Sequence, residues 1–297
     1  MNSIGIIGLG DMGMGMAVNL LDNGFAVTGF DLNKERLDHF IAKGGIAGKS
    51  SQNVGKISEI VFIMVLNAEQ AKLAVLGDNG AASAMKSGGI IIITATIGRS
   101  AVLEIAAEIS QKGIKIIDSP VSGGRGGAEA GTLTLMASGD DETFSKCAGV
   151  LNAVAKNINY VGKEIGQGQT VKHVLSALTG SCYVGIFEAL VLGAKAGVDI
   201  DALYNVISTS SAGNFIFRDS AKLIMERKFK GTGSHIGTMH KDLSLSMQLA
   251  RDCGVAMPMT SVAMELFQAG ITSFPDEDNW SIIKILEQMS GTMVKGK

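Results

Sequence analysis

A chain of 297 residues, 46 % of them apolar, is long enough for two domains with separate hydrophobic cores. Its formal net charge of −2 gives none of the broad basic surface that a nucleic-acid partner requires. No uninterrupted apolar run approaches the ~18 residues of a membrane span, so neither nucleic acid nor membrane is an expected partner. A strand-like run begins at Ile4 and leaves no room for a signal peptide. Cys147, Cys182 and Cys253 form neither a C-x-x-C pair nor a disulfide framework. A cytoplasmic protein with buried thiols is expected.

Residues 3–31 read S-I-G-I-I-G-L-G-D-M-G-M-G-M-A-V-N-L-L-D-N-G-F-A-V-T-G-F-D. An apolar run enters Gly8-Leu9-Gly10-Asp11-Met12-Gly13, then a helical pattern, then a second strand-like run ending at Asp31. This is the setting that a dinucleotide fingerprint needs. Gly8 permits the sharp turn, Gly10 lets backbone approach a pyrophosphate, and Gly13 lets the helix pack on the strand. The N–H groups of the helix start then face the phosphates. Asp31 stands where a carboxylate accepts ribose hydroxyls and repels a 2′-phosphate, so NAD is expected over NADP. Lys34 and Arg36 lie nearby.

Farther along, 34–43 reads as a surface helix, 60–66 as a buried strand and 68–76 as a short helix. A second buried strand covers 90–94, and a helix capped by Ser100 covers 100–112. Residues 114–118 form a strand, 132–137 alternate weakly, and 140–154 return to helix. Strands alternating with helices imply a Rossmann-type, mainly parallel sheet over 1–163. Residues 164–297 carry no further strand-like run and read as an all-α domain. Its first element is a long interdomain helix over 169–196, roughly 40 Å in length. Shorter helices follow at 201–208, 214–225, 239–253, 258–269 and 280–289. Gly180, Gly185 and Gly193 within the long helix suggest packing against another backbone, and hence a homodimer or homotetramer. A cleft between the two domains would receive the substrate.

Three further features carry candidate chemistry. Asp118-Ser119-Pro120-Val121-Ser122-Gly123-Gly124 is either a nest in which Ser122, Gly123 and Gly124 hold a substrate anion, or a flexible turn. Lys172 follows Gly166-Gln167-Gly168 near a helix start, where the dipole and burial disfavour its charge and make it a usable acid/base. The alternative is a solvated surface lysine. Ser176 and Thr179 share its helix face. His240-Lys241-Asp242 is either a plain helix start or a device that delivers Lys241 to the cleft. His173 reads as a packing residue. The other histidines, His39, His235 and His240, form no metal triad, and no metal is expected.

Together these motifs resemble the β-hydroxyacid dehydrogenase family over essentially the whole chain. Gly8–Gly13 match its dinucleotide fingerprint, and Asp118–Gly124 match its D-x-P-V-S-G-G substrate motif. Gly166, Gly168 and Lys172 match its G-x-G-x-x-x-K motif, and Lys241-Asp242 its K-D cofactor motif. The resemblance implies Lys172 as general acid/base and Ser122, Gly123 and Gly124 as holders of the substrate carboxylate. It places Lys241 toward cofactor and substrate, and Leu66, Asn67 and Thr96 beside the nicotinamide. The family's Asn four residues after the lysine is here Ser176, which changes the substrate hydrogen bonds. Asn67 replaces a common proline, and with 31–33 and 212–214 it resembles the L-threonate dehydrogenase branch. The implied activity is NAD-dependent oxidation of a small hydroxy acid. Reduction of a semialdehyde or glyoxylate and a catalytically silent NAD-binding scaffold are the alternatives.

Overall fold

A computed structural model describes residues 3–297, which form two compact units, the first ending at Lys172 and the second running His173–Lys297. The first opens with β1 (Ser3–Ile7), α1 (Asp11–Asp22), β2 (Ala26–Phe30), α2 (Lys34–Ala42) and the short β3 (Ile46–Ala47). After α3 (Ser51–Ile57) come β4 (Ile60–Ile63), α4 (Ala68–Leu76), β5 (Ile90–Ile93), α5 (Arg99–Ser110) and β6 (Lys115–Asp118). These six strands are parallel, in the order β3-β2-β1-β4-β5-β6. That is the doubly wound order, whose reversal point lies between β1 and β4.

The isoleucine runs explain why the sheet is covered on both faces. Successive side chains of a strand point to opposite faces. Ile90 and Ile92 of β5 therefore enter the core that holds Ile4, Ile6 and Phe62, whereas Ile91 and Ile93 enter the one that holds Ile7, Val61 and Ile63. Each such burial contributes about 2 kcal/mol.

The sheet then departs from the parallel pattern. β7 (Val121–Ser122) leads into α6 (Gly124–Glu129), β8 (Leu133–Ser138), α7 (Asp141–Val154) and β9 (Ala155–Gly162). β8 runs antiparallel to β6 and β7, and β9 pairs with β8 in parallel. β9 gives no strand signal in the sequence, because four of its eight residues (A-K-N-I-N-Y-V-G) are polar or glycine and only Ala155 is buried. Several expected boundaries shift, two of them after β4 and β5. The strand expected over 60–66 ends at Ile63, freeing Asn67 to cap α4 by accepting from Gln70 N–H at 2.9 Å. The helix assigned a Ser100 cap starts at Arg99, after Gly98 with φ +91°, and no side chain caps it.

α8 (Gln167–Lys195) is the long helix, 29 residues or roughly 43 Å. By length and composition it would suffice to cross a membrane, and half of its most apolar window is buried in the protein. Lys172, His173, Ser176 and Thr179 interrupt the apolar run, which is why no uninterrupted stretch of that length exists in the sequence.

The second unit continues with α9 (Ile200–Thr209), α10 (Phe215–Met225), α11 (Ile236–Cys253), α12 (Pro258–Ser273) and α13 (Ile283–Ser290). Phe187, Phe217, Leu243, Phe267 and Trp280 form its core. The glycines of α8 serve that core in part. A Cβ on Gly180 would stand 2.7 Å from Leu243 and one on Gly193 2.3 Å from Leu203, while Gly185 faces open space. Two of the three thus admit side chains of their own unit rather than another backbone. The thiols also differ from expectation: Cys147 is buried, Cys182 half-buried and Cys253 exposed.

Candidate active site

The fingerprint glycines sit where β1 meets α1, at the carboxyl edge of the sheet. Gly8 has φ +94°, and a Cβ there would stand 2.1 Å from the Met64 carbonyl. A Cβ on Gly13 would meet the Gly8 carbonyl at 2.0 Å. Gly10 differs, since its nearest neighbour would be the Arg36 guanidinium at 3.7 Å. Gly10 is also the cap residue of α1, and no side chain caps that helix. The loop therefore leaves room and donors for a pyrophosphate just where α1 begins, and the residues fit a dinucleotide. Asp11 and Met12 form the first helical turn; Leu9 is buried in the core beneath it.

Asp31, at the end of β2, accepts Leu9 N–H and Asn33 N–H, each at 2.7 Å. A carboxylate offers roughly four lone-pair sites, so two remain for ribose hydroxyls. The Arg36 guanidinium stands 3.8 Å away, between Asp31 and Gly10. Leu66 is exposed beyond β4, next to Asn67, and half-buried Thr96 follows β5.

Ser122 ends β7, and Gly123 and Gly124 follow with φ of +135° and +60°. The stretch expected to be a nest or a flexible turn thus passes straight into the short helix α6. That helix is fixed to α1: Asn19 donates to the Ala128 carbonyl at 2.7 Å, and a Cβ on Gly15 would stand 2.6 Å from Ala128. The anion-holding candidates and the dinucleotide loop are accordingly braced by one pair of helices.

The start of α8 has its donors accounted for by the sheet. The Asp118 carboxylate, fully buried at the end of β6, accepts Gly166 N–H at 3.1 Å and Gln169 N–H at 3.0 Å. Ser138 of β8 accepts Gly168 N–H at 3.1 Å. A Cβ on Gly168 would meet the Met136 carbonyl at 2.4 Å, and Gly166 has φ +95°, which explains both motif glycines. Burial pushes the Asp118 carboxyl up to about 6, against the lowering effect of its hydrogen bonds from Gln169, Gly166 and Ser138. Lys172, half-buried, follows one turn after Gln169. Neither Asp118 nor Gln169 is a site candidate from the sequence; the available signal is a carboxylate closing an apolar strand.

The second unit holds the remaining candidates. Ser176 is buried one turn beyond Lys172 on α8, and buried His173 gives its carbonyl to Ser246 at 2.8 Å. Lys241 does not precede a helix, because α11 begins at Ile236 and places it in the second turn, 2.9 Å from Asp242. Among the described residues, no group of three or more His, Cys, Asp or Glu is placed to hold a metal.

Comparison with known proteins completes this picture. Residues 3–162 match the family described as the NAD binding domain of 6-phosphogluconate dehydrogenase. Residues 166–286 match the NAD-binding region of NADP-dependent 3-hydroxyisobutyrate dehydrogenase. The chain is 37 % identical over 295 residues to 2-(hydroxymethyl)glutarate dehydrogenase of Eubacterium barkeri, covering 99 % of this chain and 97 % of that protein. The chain belongs to the β-hydroxyacid dehydrogenase family. L-Threonate dehydrogenase of Cupriavidus necator is 34 % identical, with 95 % of each chain covered. The crystal structure of 3-hydroxyisobutyrate dehydrogenase from Salmonella typhimurium superposes with a TM-score of 0.88 at 31 % identity, over 96 % of this chain and all of that one. As a β-hydroxyacid dehydrogenase the protein is an oxidoreductase that uses NAD.

Proposed function

We propose that the protein oxidises a small hydroxy acid of the L-threonate type with NAD, Lys172 serving as general acid/base. The carrying observation is that one compact unit holds the dinucleotide loop, Ser122–Gly124 and the helix start that bears Lys172. In this reading the Ser122 hydroxyl and the N–H groups of Gly123 and Gly124 hold the substrate carboxylate. Neutral Lys172 takes the proton of the substrate hydroxyl and returns it in the reverse direction. Ser176 and Lys241 orient the remaining substrate oxygens, and Leu66, Asn67 and Thr96 line the nicotinamide. When bound, NAD supplies the hydride acceptor; Gly10 and the first turn of α1, Asp11 and Met12, would hold its pyrophosphate in the loop that Gly8 and Gly13 shape, and Asp31 would hold its ribose. The setting in this reading is cytoplasmic.

Relatives that act on 2-(hydroxymethyl)glutarate and L-threonate both exceed 30 % identity, so the substrate panel contains both acids, with L-serine and 3-hydroxyisobutyrate. NADH formation is expected with at least one acid, with NADP slower. Lys172→Ala should lower kcat by at least ~10²-fold, the usual span of general acid–base catalysis. Full turnover by a folded Lys172→Ala protein would sink the assignment. If no acid reacts, the same variants are tested on semialdehydes and glyoxylate in the reductive direction. NAD binding without turnover in either direction would leave the scaffold reading.

We also propose that a second copy covers α8. Val174, Leu178 and Leu192 are 63, 62 and 71 % exposed on that helix, an apolar exposure better suited to a homodimer or homotetramer than to water.

A further inference from the structure

We propose that Gln169 is a positioning residue for this dehydrogenase, its buried amide fixing the helix that bears Lys172 against the two loops that bear Thr96 and Ser122–Gly124. The inference rests on the reading of Lys172 as the acid/base. Gln169 is fully buried, and every hydrogen-bonding position of its side chain is used. Its Oε1 accepts Ile97 N–H at 3.0 Å and Gly98 N–H at 3.1 Å. Its Nε2 donates to the Ala95 carbonyl at 3.1 Å and to Asp118 Oδ1 at 2.9 Å. The partners dictate the amide's orientation, since two are donors and two are acceptors.

The partners also define what the amide aligns. Ala95, Ile97 and Gly98 bracket Thr96 after β5. Asp118 closes β6 four residues before Ser122, and its other oxygen caps the start of α8 through Gly166 and Gln169 N–H. Lys172 stands three residues after Gln169, nearly one turn, on the same helix. One side chain therefore ties three segments, two of them 51 and more residues distant in sequence. A turn of helix that can slide or roll by an ångström carries its lysine with it, and such a misplacement lowers a chemical step by ~10²-fold.

The test compares Gln169→Met, which keeps the volume without the hydrogen bonds, with Gln169→Glu and the double variant Asp118→Asn/Gln169→Glu. The carboxylate introduced by Gln169→Glu still accepts Ile97 and Gly98 N–H but faces the Asp118 carboxylate; adding Asp118→Asn gives it a donor there instead. For Gln169→Met the expectation is a ~10²-fold lower kcat with a larger isotope effect on a carbinol-deuterated substrate, while KM and NAD affinity change less than ~3-fold. Gln169→Glu should be similarly impaired and the double variant at least tenfold better than it. Backbone hydrogen exchange should rise in 95–99, 118–124 and 166–172 and nowhere else.

A folded Gln169→Met protein with wild-type kcat, or one that loses only thermal stability, overturns the proposal. If Gln169→Met does not fold, the double variant decides, and absence of rescue overturns it. If the wild type itself oxidises and reduces nothing, the reading of Lys172 fails, and the tie is then judged by hydrogen exchange alone. A rise confined to the three segments supports it, and an unchanged or uniform pattern overturns it.

Discussion

Gly8, Gly10 and Gly13 answer to different constraints, and alanine variants separate them. Ala at 8 or 13 drives a Cβ to within 2.1 Å of a backbone carbonyl, so both should unfold at clearly lower temperature with or without NAD. Gly10→Ala meets only the Arg36 side chain at 3.7 Å and should melt like the wild type, yet bind NAD at least tenfold more weakly by titration. Asp118 gives a pH signature. Its carboxyl rises from 3.8 to about 6 on folding, so the folded state binds the proton more tightly than the unfolded one. The buried charge therefore subtracts about 3 kcal/mol above pH 6, and the loss is relieved as pH falls from 6 toward 3.8. Asp118→Asn has no such titration, although its amide sets one donor against another. Denaturant unfolding of both proteins should show the wild type gaining about 1 kcal/mol on the variant between pH 7 and pH 5. A pH-independent gap would contradict the burial of the charge.

Elements were legible where one local signal governs them. The continuous apolar runs declared β4 and β5, and the order strand, glycine loop, helix and acid declared the fingerprint. Element ends were less legible, because they depend on which group caps the helix. α5 begins without a side-chain cap, and α11 begins three residues before its apolar periodicity starts. A cap that can be tested is Asp140, which accepts Thr143 N–H at 2.9 Å at the start of α7. Hydrogen bonds from Thr143 hold its carboxyl below the usual range. Asp140→Ala should cost about 1 kcal/mol near neutral pH. Here the sign is opposite to that of Asp118. The stabilisation is complete above the unfolded pKa and vanishes as pH falls through the lowered folded value, so the melting curves of variant and wild type should converge in acid.

At the scale of the whole molecule, a second copy over α8 predicts a particle of twice or four times 30.8 kDa by light scattering. Leu178→Glu should shift it to the monomer without unfolding it, because that side chain is exposed in the single chain. A wild-type monomer at micromolar concentration would remove the proposal. The sequence by itself determined the alternation of strand and helix, the change to an all-helical second half and the dinucleotide loop. Each of these follows from hydrophobic period and glycine spacing within some thirty residues. It also marked Lys172 and Ser122–Gly124, though only as one reading among two for each. Tertiary structure alone decided the antiparallel β8, the exposed edge strand β9 and the union of Asp118 with Gln169. Those features rest on partners 12 to 51 residues apart, where the identity of either residue says nothing until the chain has closed the loop between them.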